Sequence, residues 1–368
     1  MNIYVLDPET LDRLAVINVY SALSWNRVWG ESGTFKVWAP ITDENEEFLI
    51  RENLIWLDNQ DLVGVINGIH KYTSEESSIP TIEISGYFAE KSYLQRRIIW
   101  GTLLVEDVPA AVIRKIIREN ASACDDITRR FGPSIQRGVV ISDSVPSQSN
   151  ITYCNSYGNV WEEVKGVSLE HNLDTRLVLS ESSLAFVISS SVDRSADVNL
   201  STDLGFLTDS DYTCDDSNYC NTALIAGEGE GADRVKVSII PQGAVQKNRR
   251  ELYVDARDLQ KTSEESQEPV PDDVYSEALV QRGYKKLLDH PIYESYECSL
   301  QLTGEEGYIF EKDYFLGDTI TLTDSVLNVQ LEATVKEHQI SEDEDGRTDT
   351  LVFGLAVPTI TAIIKRRD

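Results

Sequence analysis

Cations, histidine and cysteine are all scarce in this chain of 368 residues, and each scarcity closes off a class of function. Lys and Arg number 33 against 62 Asp and Glu, a net charge of -29. Such an excess repels free nucleic acid and anionic membrane, because gripping a phosphate backbone takes clustered Lys and Arg. Two readings of the surplus stand: solubility at high copy number, or a negative wall past which DNA slides without sticking. His70, His171, His290 and His338 lie singly and far apart. Cys124, Cys154, Cys214, Cys220 and Cys298 are odd in number and scattered, with only Cys214 and Cys220 close together. That pattern fits reduced thiols rather than a disulfide framework and offers no ligand spacing, so no metal and no cofactor is expected. No run approaches the ~18 apolar residues of a membrane span, so no membrane insertion by this chain is expected. The opening Met1-Asn2-Ile3-Tyr4 has no basic region, apolar run or cleavage site, which points to folding in a cytosol.

What is present is folded-protein composition, 41% hydrophobic and 26% charged, in a chain long enough for two or three domains with separate cores. Residues 1 to 100 read as β structure. Ile3 to Leu6, Leu14 to Tyr20, Thr34 to Ala39 and Thr81 to Ser85 are rich in β-branched and aromatic residues, and turn clusters separate them at Gly30 to Gly33, Thr42 to Glu46 and Thr73 to Pro80. A helix is expected from an N-cap at Asp107 with Pro109 in its first turn, burying Val112, Ile113, Ile116 and Ile117 opposite Arg114, Lys115 and Arg118. A second is expected over Gly158 to His171, with Val160, Trp161, Val164 and Leu169 as its buried stripe.

Strands resume from Arg176, as in Leu184 to Ser189, Thr222 to Ala226 and Arg234 to Ile240. Lys261 to Asp273 reads as an exposed acidic linker. A third helix is capped by Asp272 or Asp273, buries Val280, Tyr284, Leu287 and Leu288, and stops before Pro291. Glu297 to Leu302, Thr319 to Thr323, Leu331 to His338 and Thr348 to Phe353 alternate as strands, the last two joined by the acidic tip Ser341 to Gly346. The fold class is therefore α+β, mainly β: a β barrel, a mixed α/β middle region and a second β barrel.

Motifs for chemistry fail on context. Gly227-Glu228-Gly229-Glu230-Gly231-Ala232 matches a dinucleotide-binding spacing, but a strand pattern follows it and two glutamates sit where an anion would bind, so a hairpin is expected. The acidic tip lacks the spaced ligands of a calcium loop. No Gly-x-Ser-x-Gly elbow, His-Glu-x-x-His helix or Walker loop is present. No catalytic residue is assigned.

Several segments, in order, resemble one family. Ser21-Ala22-Leu23-Ser24-Trp25-Asn26-Arg27, then Gly33-Thr34-Phe35 and Pro40, are followed by Ile84-Ser85-Gly86-Tyr87 and Leu94-Gln95-Arg96-Arg97-Ile98-Ile99. Asn221 to Gly231, Arg250 to Asp258, Gln281-Arg282-Gly283, Asp313 to Asp318 and Phe353-Gly354 continue the series. The chain resembles the siphophage tail-hub family, the baseplate hub or tail-associated protein, in its hub portion only. The resemblance implies a homotrimer, each subunit supplying two tail-tube-like β-barrels to a ring of six. It implies a first barrel over 1–100, an α/β middle over 101–185, a split second barrel over 186–245 and 292–368, and an inserted linker and helix over 246–291. The implied partners are the tail tube or distal tail protein, tip, spike or receptor-binding proteins, the tape-measure protein, and DNA only in non-specific passage. The location is the virion tail tip or baseplate.

The family supplies no catalytic residues. Gly33, Gly86, Gly227, Gly229, Gly283 and Gly317 read as turns or close approaches. Arg97, Arg250, Arg257 and Arg282 read as partners for carboxylates, either at domain or subunit contacts or in salt bridges within a domain. Two other functions remain as alternatives, a cell-wall-degrading tail-associated hydrolase and a virion carbohydrate-binding module.

Overall fold

The computed structural model describes residues 1–58, 60–73, 79–180, 182–204, 207–259, 261, 271–300 and 308–354. They form two compact units, one of Met1–Asp211 with Tyr296–Gly354, the other of Tyr212–Ser295. The fold is mainly β, as the alternation predicts.

In the larger unit the strand Ile3–Leu6 sits between Arg13–Ile17 and Leu54–Leu57, and Val63–Val65 completes a four-stranded sheet. Facing it across Ile3, Val5, Ile55 and Leu57 are Trp25, Phe35 and Ile84 of a ten-stranded sheet and Phe88 just past the end of one of its strands, packed in one apolar core. Ala22–Val28, Thr34–Pro40, Thr81–Tyr87 and Gly68–Tyr72 form one flank of that sheet. The other flank comes from the far end of the chain. Val329–Asp343 lies antiparallel on Ala22–Val28, with Trp25 opposite Ile340, and Gly346–Gly354 and Tyr293–Leu300 follow outward. The sheet therefore runs through both β-rich ends of the sequence. Among the described residues its terminal strand Gly68–Tyr72 pairs on one side only, and Ile69, His70 and Lys71 are exposed along it. A separate core gathers Trp29, Tyr296, Tyr314, Ile320, Val335 and Phe353.

The middle of the chain adds the helices Pro109–Ile117 and Val160–Glu170 to a three-stranded sheet. There Ser183–Ser190 runs parallel to Ile135–Ile141 and antiparallel to Leu173–Ser180. Val112, Ile113, Ile116, Trp161, Val164 and Phe186 share the core of this layer. In the smaller unit Thr222–Ala226 pairs with Lys236–Ile239 and Glu251–Asp255. The helix Asp272–Leu288 packs Tyr275, Leu279 and Tyr284 on that sheet through Ala223, Ile225 and Val254.

Several local expectations need correction. The acidic cluster Thr42 to Glu46 is not a turn: Thr42 caps the helix Asp43–Phe48, its Oγ1 accepting the Asn45 N–H at 3.1 Å, with acids in the first turn facing the positive end of the dipole. A further short helix, Ala89–Leu94, stands in the stretch read wholly as strands. Asp107 ends a strand instead of capping; Val108 is the N-cap, and the Asp107 carboxylate accepts its N–H at 2.8 Å. On the second helix Leu169 is 49% exposed, and Val167 and Ser168 are buried in its place. The third helix starts after Pro271, with Asp272 and Asp273 inside its first turn. The hairpin tip shrinks to Glu344 and Asp345, because Asp343 already pairs with Gly346. Most of the Lys261 to Asp273 linker lies outside the described residues.

Candidate functional site

The sequence motif nearest to a ligand site resolves into backbone structure. Ala226 pairs with Lys236, the Gly227 N–H donates to the Val235 carbonyl at 2.8 Å, and only a short 3-10 turn, Gly231–Asp233, intervenes. This is the expected hairpin: a turn and the strand Lys236–Ile239 follow the glycines, where the dinucleotide motif requires a helix. The Tyr275 hydroxyl accepts the Glu228 N–H at 2.8 Å and donates to the Leu259 carbonyl at 2.7 Å, tying the loop to the helix. Arg234, which sequence reasoning passed over, clamps the other side: Nε donates to the Gly227 carbonyl at 2.8 Å, Nη1 to the Tyr253 hydroxyl and Nη2 to Asp255 Oδ1 at 2.6 Å. Among the described residues no group of three or more His, Cys, Asp or Glu is placed to hold a metal ion, and no helix is long and apolar enough to cross a membrane.

The four arginines singled out by sequence do not converge. Arg282 forks Asp258, Nη2 to Oδ2 at 2.8 Å and Nη1 to Oδ1 at 3.2 Å. Arg257 donates to Asp255, two residues away, and Arg250 to Asp216. All three pairs lie inside the smaller unit. Among the described residues Arg97 holds no carboxylate: its Nε donates to the Arg129 carbonyl at 2.7 Å, and the guanidinium lies 5.0 Å over the Phe131 ring.

The densest charge centre was not legible in sequence. Glu90, on the short helix Ala89–Leu94, is 2% exposed beside Asp174 and Arg176 of the strand Leu173–Ser180. Arg176 donates Nε to Asp174 and Nη2 to the Val28 carbonyl at 3.0 Å, and Asp174 Oδ1 accepts the Gly30 N–H at 3.2 Å. Ser32 Oγ donates to Glu90 Oε1 at 2.9 Å, while Glu90 Oε2 and Arg176 Nη1 are buried without a hydrogen-bond partner among the described residues. Burial pushes the Glu90 carboxyl from its ordinary 4.5 up to about 7, against the pull of Arg176. With the folded value above the unfolded one, the native state binds the extra proton, so stability falls as pH rises between roughly 4.5 and 7. Glu90→Gln should remove that slope. In urea titrations at pH 5 and pH 8, wild type is expected to lose about 2–3 kcal/mol relative to the variant across this window; parallel profiles would refute the assignment.

Taken together, the geometry describes a scaffold: a long shared sheet, a buried charge centre between its layers, and arginines used as internal ties. Solved phage tail proteins have the same fold. A tail protein from Neisseria meningitidis MC58 superposes with a TM-score of 0.60 at 13% identity, over 96% of this chain and 97% of its own. The prophage MuSo2 43 kDa tail protein from Shewanella oneidensis gives 0.59 at 11% identity, over 97% and 99%. Prophage tail protein gp18 from Listeria monocytogenes EGD-e gives 0.55 at 10% identity, over 100% and 98%. A Francisella PdpA-VgrG complex gives 0.52 at 7% identity, over 96% of this chain and 52% of that one. Residues 2–355 match the siphovirus ReqiPepy6 Gp37-like protein family, and the chain belongs to it. A search of curated proteins finds no match.

Proposed function

We propose that this protein is the hub of a phage tail tip or tail-like particle, a structural component rather than an enzyme. Three subunits form a ring, each giving two tail-tube-like barrels, so that a sixfold tube meets a threefold tip. The first barrel takes residues 1–100 and the second draws on 186–211 with 296–354, the middle region 101–185 lying between them in sequence; residues 212–245, expected in the second barrel, pair instead with the inserted 246–291 in the smaller unit. The ring joins the tail tube or distal tail protein to tip, spike or receptor-binding proteins and passes DNA or tape-measure protein. The observation that carries this reading is the end-to-end likeness to solved tail proteins, with this chain and theirs both covered almost completely. The one-sided edge strand Gly68–Tyr72 supports it, since an unpaired strand edge is a ready contact for another subunit.

The test is electron microscopy of the purified protein with its tail-tube partner, paired with mass measurement. Threefold rings with a central channel, stacked on the tube, are expected. A persistent monomer that turns over peptidoglycan would replace the hub with a hydrolase, and glycan binding without ring formation would replace it with a carbohydrate-binding module.

A further inference from the structure

Arginine pairing divides this chain. Among the described residues every arginine from Arg176 to Arg347 holds an Asp or Glu. Arg97, Arg114, Arg118, Arg129, Arg130 and Arg137 form no such pair among those residues. Before this run Arg27 and Arg96 hold a glutamate, while Arg13 and Arg51 hold no acid among the described residues. The stretch 95–137 holds eight of the Lys and Arg but five of the Asp and Glu, so its charge runs against that of the whole.

These residues are gathered around one π-helical turn, Arg118–Ser122, that continues the helix Pro109–Ile117. Single π turns in α-helices are frequent at functional sites. Asn120, buried on this turn, donates Nδ2 to the Ile116 carbonyl at 2.9 Å and accepts the Trp100 main-chain N–H at 2.9 Å. Arg129 Nη2 donates to the Ile98 carbonyl at 2.7 Å and the Asn120 carbonyl at 3.2 Å, and Arg130 Nε to the Cys124 carbonyl at 2.7 Å. Ser122 Oγ donates to the Arg137 carbonyl at 3.1 Å, and Arg114 stands one helical turn before Arg118 on the same side. Burial, then the neighbouring Arg129 charge, lowers the pKa of Arg97, as uncompensated cations would.

Apolar surface accompanies the charge. Trp100 is 72% exposed with the Arg129 guanidinium 5.0 Å over its ring, and Ile127 is 71% exposed. A cavity of about 260 Å³ opens beside them, lined by Trp100, Leu103, Asn120, Cys124 and Arg129 but also by Glu119, Asp125 and Asp126. An exposed Trp with an arginine over its ring has the composition of an interface anchor.

We propose that this face docks a carboxylate-rich surface of a second copy of the chain, with Trp100 and Ile127 buried and the unpaired arginines matched to the neighbour's acids. The surplus acids that would complement it lie on the rest of this same sequence, which suits a head-to-tail contact able to close a ring. Phosphates would meet the same arginines, so an oligonucleotide is the competing occupant of this face. The inference rests on the hub reading for why copies meet.

The experiment compares wild type with R114E/R118E/R137E and with W100S by analytical ultracentrifugation over a concentration series, thermal melts confirming that each variant folds. Those three arginine side chains bind nothing among the described residues, so the fold should survive their reversal. Each variant is expected to need at least about tenfold more protein to assemble, and the wild-type association to weaken with salt. In mixtures of isotope-light and isotope-heavy copies, carbodiimide should couple Lys115 to a carboxylate of the other copy. Unchanged assembly in both variants without that cross-link overturns the docking face while leaving the hub standing. Binding of a labelled oligonucleotide that the triple variant loses would reassign the face to nucleic acid. A wild type that stays monomeric even with its tail-tube partner overturns both.

Discussion

Exchanging Arg176 for methionine should lower the unfolding free energy by about 3–5 kcal/mol, because it strands the Asp174 carboxylate in the interior while Glu90 takes up a proton. The side chain of Asp174 is 3% exposed and that of Arg176 12%, so neither the lost charge nor its partner is rehydrated cheaply. Methionine nearly matches the volume removed, which keeps a cavity out of the comparison. Lysine should recover only part of the loss. The arginine fork reaches Asp174 and the Val28 carbonyl together, which a single ammonium on a flexible stem does not do. Adding Glu90→Gln and Asp174→Asn to the methionine variant should restore most of the stability, since removing an entire buried cluster is far cheaper than removing one member. Urea unfolding reads this as a drop in midpoint at constant slope. A shift worth less than ~1 kcal/mol would mean that water already reaches the cluster.

This cluster also marks the limit of sequence reading. Strands whose pattern is local were legible almost to the residue: Ile3–Leu6 and Thr222–Ala226 appear as read, and the burial of Val112, Ile113, Ile116 and Ile117 follows from helical spacing. Short helices were not, because Asp43–Phe48 and Ala89–Leu94 are too brief to show a period, although Thr42 followed by acids was a usable capping signal. The pairing of Ala22–Val28 with Val329–Asp343 had no local trace, since the partners lie some three hundred residues apart. The same distance hid the charge chemistry. Arg250, Arg257 and Arg282 find acids close in sequence or across one small sheet, whereas Glu90 meets Arg176 only through the packing of two layers. Arg97 was expected to hold a carboxylate and instead takes a carbonyl. Its side chain is spent on bracing the loop that carries Arg129 and Phe131.

Where those layers meet, backbone approaches backbone, and Gly86→Ala is expected to cost about 4 kcal/mol, in the upper tail of single substitutions. Gly86 sits opposite Phe35 in the ten-stranded sheet. A Cβ there would fall 1.9 Å from the Val65 carbonyl oxygen and 2.9 Å from the Phe35 ring. The ring could swing, but the carbonyl belongs to the fully buried strand Val63–Val65 of the facing sheet, held by pairing with Leu54–Leu57. Making room therefore means separating two sheets around a close-packed core, and no rotamer change substitutes for it. Gly138 is the matched control. It lies on the strand Ile135–Ile141 with open space where its Cβ would be, so Gly138→Ala should change stability by less than about 1 kcal/mol. Thermal and urea unfolding of both variants would separate steric contact from the loss of glycine flexibility. Equal effects at the two positions would refute the close approach at Gly86; a loss confined to Gly86 would place the sheet-to-sheet contact there.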